Sequence, residues 1–217
     1  MYSYRYPRPG VTTDCVIFGF DGTRMQVLLI ERGNDPYKGC WALPGGFLNI
    51  DEPAEDGARR ELQEETGLTV DLLHQFHTFS HPDRDPRGRT ISIAYYGLIR
   101  LQPVCGGDDA ARAQWFSMEQ LPPLAFDHDE MLQRALMALR QQSLLQPVVR
   151  GVIDEPFAID TLLTLYESIL GTTLNSSAFC NAMTQRRLIA MTAEHDPDGH
   201  PLFRFGNGDS PLQLFFE

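Results

Sequence analysis

Hydrophobic and polar positions divide the first part of the chain into strand-like and helix-like runs. Val11–Phe20 and Met25–Glu31 are rich in β-branched and apolar residues, and the Asp-Gly pair between them is a strong hairpin signal. A loop rich in glycine and proline follows. Apolar residues then recur at helical spacing from Pro53, a favoured first-turn residue, until Gly67, a favoured helix terminator. The pattern predicts two antiparallel strands and then a helix.

The same reading predicts three more strands and a second helix before residue 143. Leu68–Phe79 and Ile91–Leu101 are strand-like and are separated by a polar loop, and Ala113–Phe116 is a short strand candidate. Asp127–Gln141 carries its apolar residues on one helical stripe. The first part of the chain therefore combines five predicted strands with two predicted helices.

From residue 143 the pattern changes, which predicts a second, smaller domain. A linker-like stretch leads to a helix over Phe157–Leu170, and Asn175 can cap another helix that reaches Arg187. Strands are predicted at Leu188–Thr192 and Leu202–Phe205, on either side of a turn-rich segment. Helix, helix and hairpin is a winged-helix pattern. We therefore predict a first domain over 1–142, a linker over 143–156 and a winged-helix-like α+β domain over 157–217.

Charge and composition restrict the classes of partner. The 217 residues carry a net charge of -11, which disfavours association with nucleic acid and with anionic membranes. No segment approaches the roughly 18 apolar residues of a membrane span, so the sequence predicts a cytoplasmic protein without a membrane partner. Lys38 is the single lysine, so nearly every cation is a guanidinium that can bind phosphate through two hydrogen bonds.

The predicted first helix carries the chemistry. With its preceding loop it fits the spacing G-x5-E-x7-R-E-U-x-E-E-x-G-U, where U is aliphatic. The matching residues are Gly46, Glu52, Arg60, Glu61, Leu62, Glu64, Glu65, Gly67 and Leu68. At 100° per residue, the last three glutamates share an arc of about 100° on one helix face. Carboxylates crowded in this way repel each other unless they coordinate a hard divalent cation such as Mg²⁺. The alternative is a solvated acidic face.

In this segment the chain resembles the Nudix hydrolase family, and the resemblance implies an α/β/α sandwich with a mixed sheet. It implies that Mg (or Mn) is held by Glu64, Glu65 and the Gly45 carbonyl, with Glu61 as a further ligand or the general base. Arg60 would orient the carboxylates and Glu52 would brace the loop. Because the base of this family is not always inside the motif, Asp127, Asp129, Glu119 and His128 are alternative candidates for the proton transfer.

A polar loop before the Ile91–Leu101 strand carries three arginines, Arg84, Arg87 and Arg89. Guanidiniums beside a carboxylate-metal site are suited to holding a diphosphate, and Tyr95 or Tyr96 could stack on a base. The alternative is a loop with internal Asp–Arg pairs. This loop and the later Leu-Ala-Phe-Asp-His run resemble a Nudix subgroup that acts on, or senses, ADP-ribose and includes bacterial regulators of NAD metabolism.

Two further residues complete the predicted substrate-binding set. Gly46 lies in the loop, and Arg32 lies where many Nudix proteins place a phosphate contact, although an ordinary strand-end arginine is an equal alternative. The resemblance implies hydrolysis of a nucleoside diphosphate sugar, above all ADP-ribose to AMP and ribose 5-phosphate.

The C-terminal part is similar to the winged-helix domain of ADP-ribose-responsive repressors of the NrtR type, so a DNA-binding regulator is the alternative function. Its candidate recognition helix, 176–185, contains no lysine or arginine, and residues 143–217 carry 4 arginines against 9 acidic residues, a net charge of -5. DNA binding would rely on Arg186, Arg187 and Arg204 from both subunits of an expected homodimer. A third possibility is a binding module without catalysis.

Overall fold

A computed structural model of the chain describes residues 5–107, 110–145 and 148–208. These residues divide into two compact units. The first takes the residues up to Phe18, Val27–Gly97 and Gln102–Ala135, and the second takes Gly19–Gln26, Leu98–Leu101 and the residues from Leu136 onward.

The seven-stranded mixed sheet provides the frame of the first unit. Its strands are β1 (Gly10–Phe20), β2 (Met25–Arg32), β3 (Trp41–Ala42), β4 (Gly45–Phe47), β5 (His74–Phe79), β6 (Thr90–Arg100) and β7 (Ala110–Ser117). Neighbouring strands follow the order β3-β2-β1-β6-β5, while β4 pairs with β1 and β7 pairs with β2. The predicted mixed sheet is thus confirmed, with the apolar residues of β1 and β2 at the centre of its core.

Helix α1 (Ala54–Thr66) begins and ends where the sequence predicts. Pro53 precedes it in an extended conformation, and Gly67 ends it with φ 74°, a left-handed conformation that favours glycine. The helix buries Ala58 and Leu62 and packs against β4 and β7. This packing fixes which face of the helix presents its glutamates.

The strand predicted over Leu68–Phe79 is wrong in its first half, because only β5 is a strand. Leu68 and Val70 are buried as expected of strand residues, but their segment has no ladder partner among the described residues. The Arg59 guanidinium donates to the main-chain carbonyls of Val70 and Asp71. A side chain therefore satisfies main-chain acceptors that a neighbouring strand would otherwise satisfy.

Two later elements are longer than predicted. Strand β7 extends beyond the predicted Ala113–Phe116 at both ends, and helix α2 spans His128–Leu145. The first three residues of the predicted linker therefore belong to this helix. The domain bounds 1–142, 143–156 and 157–217 stay a prediction, and residues 209–217 lie outside the described residues.

The second unit contains α3 (Ile159–Leu170), α4 (Ser176–Gln185) and an antiparallel sheet of β8 (Phe157–Ala158), β9 (Ile189–His195) and β10 (Pro201–Phe205) in the order β8-β10-β9. The predicted start of the first helix at Phe157 is wrong, because Phe157 pairs with Phe203 as a strand residue. Tyr166 and Phe179 join the two helices in the core with ring centroids 5.4 Å apart.

The order of helix, helix and hairpin is the predicted one. No helix in the described part of the chain combines the length and the apolar character that a membrane span needs.

Candidate active site

Arg60 organises the carboxylates of helix α1 and of the preceding loop. Its Nη1 donates to Glu61 Oε1 at 2.8 Å and to Glu64 Oε2 at 2.9 Å. Its Nη2 and Nε donate to the two oxygens of Glu52 at 2.6 Å and 3.1 Å. One guanidinium thus joins three carboxylates whose mutual repulsion it offsets.

Glu52 connects this hub to the loop before the helix. The main-chain N–H of Asn49 donates to Glu52 Oε1 at 2.8 Å. The hydrogen bond from Arg60, and then that from Asn49, lower the pKa of Glu52 to about 2. Glu52 is therefore ionised throughout the neutral range and holds the loop and Arg60 in one arrangement.

Glu61 and Glu65 lie deeper than Glu64 and are the electrostatically perturbed members of the set. Glu65 is buried, and its Oε2 accepts a hydrogen bond from the Gly45 main-chain N–H at 2.9 Å. Burial raises the pKa of Glu65 to about 8 and also raises the pKa of Glu61. Burial thus disfavours the charged form of both carboxyl groups.

The two glycines of the loop approach the site too closely for any side chain. A Cβ on Gly45 would overlap the main-chain oxygen of Thr13, and a Cβ on Gly46 would lie 2.5 Å from the Glu61 carboxylate. The cause is the pairing of β4 with β1, in which Asp14 and Gly45 are register partners. This pairing brings the loop against the glutamates.

A cavity of about 340 Å³ opens beside these groups within the first unit. It brings together most of the residues that the sequence singled out around one space. Those lining it are Arg32, Gly45, Gly46, Arg60, Glu61, Glu65, Arg84, Arg87 and His128. Glu52, Glu64, Arg89, Tyr95 and Asp127 are not among the lining residues.

The three loop arginines have three different environments. Arg84 is buried and binds Asp127 through two hydrogen bonds of 2.9 and 2.7 Å. Arg87 also pairs with an acid, Asp85, but keeps 42% of its side chain exposed. Arg89 donates instead to the main-chain carbonyls of its own loop. Only Arg87 combines exposure with a place in the cavity wall.

Arg32 is a more available cation. Its guanidinium donates to the main-chain oxygens of Pro36 and Asn34, and within the described ranges no carboxylate forms an ion pair with it. Burial lowers the pKa of Arg32, and the neighbouring charge of Arg87 lowers it further. An anion in the cavity would relieve this repulsion.

Two of the residues predicted as alternative bases are committed to other contacts. Both Asp127 oxygens accept hydrogen bonds from Arg84. The Leu43 main-chain N–H donates to His128 Nδ1 at 2.9 Å, and burial lowers the pKa of His128. The ring is therefore neutral with its proton on Nε2, which leaves it a donor rather than a base. The pairing of Arg87 with Asp85 agrees with the alternative of Asp–Arg pairs internal to the loop, whereas Asp127 lies outside that loop.

Sequence reasoning missed Asp14 and Phe126, which also line the cavity. Asp14 is buried, accepts a hydrogen bond from Ser92, and lies 3.8 Å from Arg84 and 3.7 Å from His128. The signal was present, because Asp14 is the one acid inside the apolar run of β1. Phe126 belongs to the Leu-Ala-Phe-Asp-His run noted above, but nothing in the sequence marks its ring as part of the cavity wall.

In the second unit, the structure brings together two of the three arginines proposed for DNA. Arg187 and Arg204 line one surface hollow beside the exposed Met191. Arg186 follows the last residue of α4 and its main-chain N–H donates back into that helix.

Comparisons with known proteins agree with the geometry. The family model described as a NUDIX domain matches residues 8–135. The chain is 33% identical to "ADPR responsive transcriptional repressor NtrR" of Acinetobacter baylyi, over 97% of this chain and 82% of that protein. It is 42% identical to "ADP-ribose pyrophosphatase" of Methanocaldococcus jannaschii, over 58% of this chain and 73% of that one.

Solved structures show the same similarity. A MutT/nudix family protein from Enterococcus faecalis has a TM-score of 0.80 at 29% identity and covers 94% of this chain and 89% of its own. Shewanella oneidensis NrtR complexed with a 27mer DNA has a TM-score of 0.73 at 27% identity, over 90% and 92%. The NUDIX domain of that NrtR, complexed with ADP ribose, has a TM-score of 0.59 at 30% identity, over 62% and 90%.

The family match covers more than half of the chain, and the similarity to the Acinetobacter protein covers nearly all of it. The NUDIX match includes the residues that line the cavity and those of helix α1. We conclude that this chain belongs to the Nudix family.

Proposed function

We propose that this chain is a divalent-metal-dependent hydrolase of a nucleoside diphosphate derivative, with ADP-ribose as its preferred substrate. The products would be AMP and ribose 5-phosphate. The observation that carries the proposal is the juxtaposition of the buried Glu65 and the half-buried Glu61 with the cations Arg32 and Arg87 around one cavity. An acidic wall for a metal and a basic wall for phosphate are what cleavage of a diphosphate needs.

The donor set fits Mg²⁺, or Mn²⁺ in its place. We assign the metal to Glu61, Glu64, Glu65 and the Gly45 carbonyl. Their oxygens are the hard ligands that Mg²⁺ prefers, and the raised pKa of Glu65 shows a carboxylate whose charge lacks compensation. A bound cation supplies a water of lowered pKa and neutralises charge on the diphosphate.

The remaining roles belong to side chains. Arg60 and Glu52 fix the orientation of the metal-binding carboxylates through the hydrogen bonds described above. Glu61 would accept the proton from the attacking water at a carboxylate oxygen. Arg32 and Arg87 would hold the diphosphate while its P–O–P bridge breaks, with one phosphate leaving on each product.

Three predicted members are absent from this binding set. Arg84 is neutralised by Asp127, Arg89 binds its own loop, and Tyr95 is buried on β6 away from the cavity lining. Support for ADP-ribose comes from the relatives instead, because both the pyrophosphatase and the repressor carry that ligand in their names.

A panel of nucleoside diphosphate compounds tests the substrate assignment. Purified protein is incubated with Mg²⁺ and ADP-ribose, ADP-glucose, NADH or 8-oxo-dGTP, and products are identified by chromatography. We expect AMP and ribose 5-phosphate, with the highest kcat/KM for ADP-ribose. A higher kcat/KM for a nucleoside triphosphate would contradict the assignment.

A second function, DNA-binding regulation with ADP-ribose as effector, is favoured by the similarity to the Acinetobacter repressor over nearly the whole chain. The winged-helix-like domain would then bind DNA through Arg186, Arg187 and Arg204 of both subunits of a homodimer. Helix α4 itself carries no basic residue. A gel shift with promoter and scrambled duplexes, with and without ADP-ribose, tests it: a specific complex released by ADP-ribose supports regulation.

A further inference from the structure

Phe126 has a main-chain conformation that residues other than glycine rarely adopt. Its φ is 56°, and Tyr37, whose ring edge meets it at a centroid distance of 4.7 Å, has a φ of 64°. Such left-handed residues cost free energy and persist only where the surrounding structure holds them. Two such residues are in contact here and Phe126 lines the cavity, which indicates that the surrounding structure holds Phe126 in this conformation.

The residues on both sides of Phe126 are held by hydrogen bonds to distant parts of the chain. The Ala125 main-chain N–H donates to the Trp41 carbonyl at 2.8 Å. Asp127 is held by the two hydrogen bonds from Arg84, and His128 by the Leu43 main-chain N–H. These contacts come from two separate parts of the chain, residues 41–43 and Arg84, and leave Phe126 little freedom to relax. Residues 125–128 therefore act as a brace for one aromatic ring.

Two arginine guanidiniums lie close to the Phe126 ring. The guanidinium carbon of Arg32 is 4.9 Å from the Phe126 ring centroid, and that of Arg87 is 5.6 Å from it. Arg87 also lies 5.1 Å from the centroid of Phe47. Aromatic faces attract cations, so the ring offsets part of the repulsion between two neighbouring positive charges. Both arginines line the same cavity as Glu61 and Glu65.

We infer that Phe126 is a positioning residue that holds Arg32 and Arg87 together as one receptor for the diphosphate of the substrate. The inference rests on the proposed function, because it assigns a specificity-determining role within the same cavity. Arg84, Asp127 and His128 then serve binding indirectly, by holding the segment that presents the ring. Without this aromatic face, Arg87 would keep its contacts with Asp85 and Phe47, and Arg32 would keep its main-chain carbonyls. The repulsion between the two guanidiniums would then weaken their joint arrangement for a diphosphate.

The test compares Phe126→Leu, which removes the aromatic face, with Phe126→Tyr, which keeps it. Calorimetry measures the Kd of the non-hydrolysable α,β-methylene analogue of ADP-ribose in Mg²⁺, and separately the Kd of Mn²⁺ alone. We expect Phe126→Leu to weaken analogue binding about tenfold, the effect of losing one to two cation–π contacts, with Mn²⁺ affinity unchanged. Phe126→Tyr should bind within about threefold of the unsubstituted chain.

The matched control is Phe79→Leu, because Phe79 also carries an arginine, Arg134 at 5.7 Å, but lies outside the cavity lining. It should leave analogue affinity unchanged. Unaltered affinity in Phe126→Leu, an equal loss in Phe126→Tyr or Phe79→Leu, or a parallel loss of Mn²⁺ affinity would each overturn the inference. So would failure of the unsubstituted chain to bind the analogue.

Turnover of ADP-ribose by the unsubstituted chain separates this inference from the proposed function. Absence of turnover, together with analogue binding that depends on Phe126, would contradict the hydrolase and support the positioning role. Turnover with an unchanged KM and analogue Kd in Phe126→Leu would overturn the positioning role alone.

Discussion

Adding one methyl group at Gly46 should disable the site while leaving the fold intact. A Cβ at this position would lie 2.5 Å from Glu61 Cδ and Oε1 and 2.6 Å from Oε2. Ordinary contact needs about 3.5 Å, so the carboxylate must move by about 1 Å. Gly46 has no positive φ, and alanine can adopt its main-chain conformation without strain. The substitution therefore acts on the Glu61 side chain.

The displacement is large enough to matter for catalysis but not for stability. A misplacement of about 1 Å at a reacting group costs about a hundredfold in rate, and the 2.8 Å hydrogen bond from Arg60 to Glu61 would be strained as well. The strained contact at Glu61 lowers the free energy of unfolding. Alanine also reduces the conformational freedom of the unfolded chain relative to glycine, which raises that free energy by about 0.4–1 kcal/mol and offsets the loss. We expect kcat to fall about a hundredfold with Tm within about 4 °C of the unsubstituted chain.

The assay is Mg²⁺-dependent release of AMP from ADP-ribose, with thermal melting measured on the same samples. Gly45→Ala is the contrasting variant, since its Cβ would meet the Thr13 main-chain oxygen, which cannot move independently of β1, and it should fail to fold stably. In a Glu61→Gln background, Gly46→Ala should add little further loss, because both changes act on one group. Normal kcat in Gly46→Ala, or fully additive losses, would refute the reasoning.

The other predictions concern charge. Arg84→Ala should lower the free energy of unfolding by about 3 kcal/mol in denaturant titrations, because it leaves Asp127 and Asp14 without their cation. Arg87→Ala should lower it by about 2 kcal/mol, because the buried Asp85 loses its cation but keeps the hydrogen bond from the main-chain N–H of residue 87, and it should raise the Kd for ADP-ribose about tenfold. Without metal, the pKa of Glu65 is about 8 in the folded state but has its ordinary value in the unfolded chain, so the folded state binds the proton more tightly. The stability that this proton contributes is lost as the pH rises, and Tm should therefore fall more steeply between pH 5 and pH 8 than in Glu65→Gln. An equal decrease of Tm with pH in both proteins would contradict this. Gel shifts should show no promoter complex that ADP-ribose releases, given the net charge of -5 over residues 143–217; a salt-sensitive, specific complex would show the opposite.

Local signals in the sequence predict the frame of the site well. The Asp-Gly turn, Pro53 and Gly67 act within a few residues, so β1, β2 and α1 form where the pattern places them. The spacing of the glutamates likewise predicts a shared helix face, because helical geometry depends on the chain position alone.

Contacts between distant parts of the chain account for what the sequence could not show. Arg59 satisfies the carbonyls of residues 70 and 71 and replaces a predicted strand. Arg84 meets an acid 43 residues away, which turns a candidate phosphate ligand into a buried ion pair. Neither pairing has a local signature, since loop arginines look alike until their partners are known. The position of Phe126 likewise depends on distant residues, because the hydrogen bonds that hold its neighbours are formed with residues far away in the chain.

We propose that the carboxylates and guanidiniums around this cavity form a catalytically competent hydrolase site. The most direct test is the rate of AMP release from ADP-ribose and Mg²⁺ by the unsubstituted chain and by Glu64→Gln and Glu65→Gln, each confirmed to melt normally. Loss of a charged metal ligand should reduce the rate by about a hundredfold or more. Equal rates in all three proteins, or no AMP release by the unsubstituted chain, would contradict the claim.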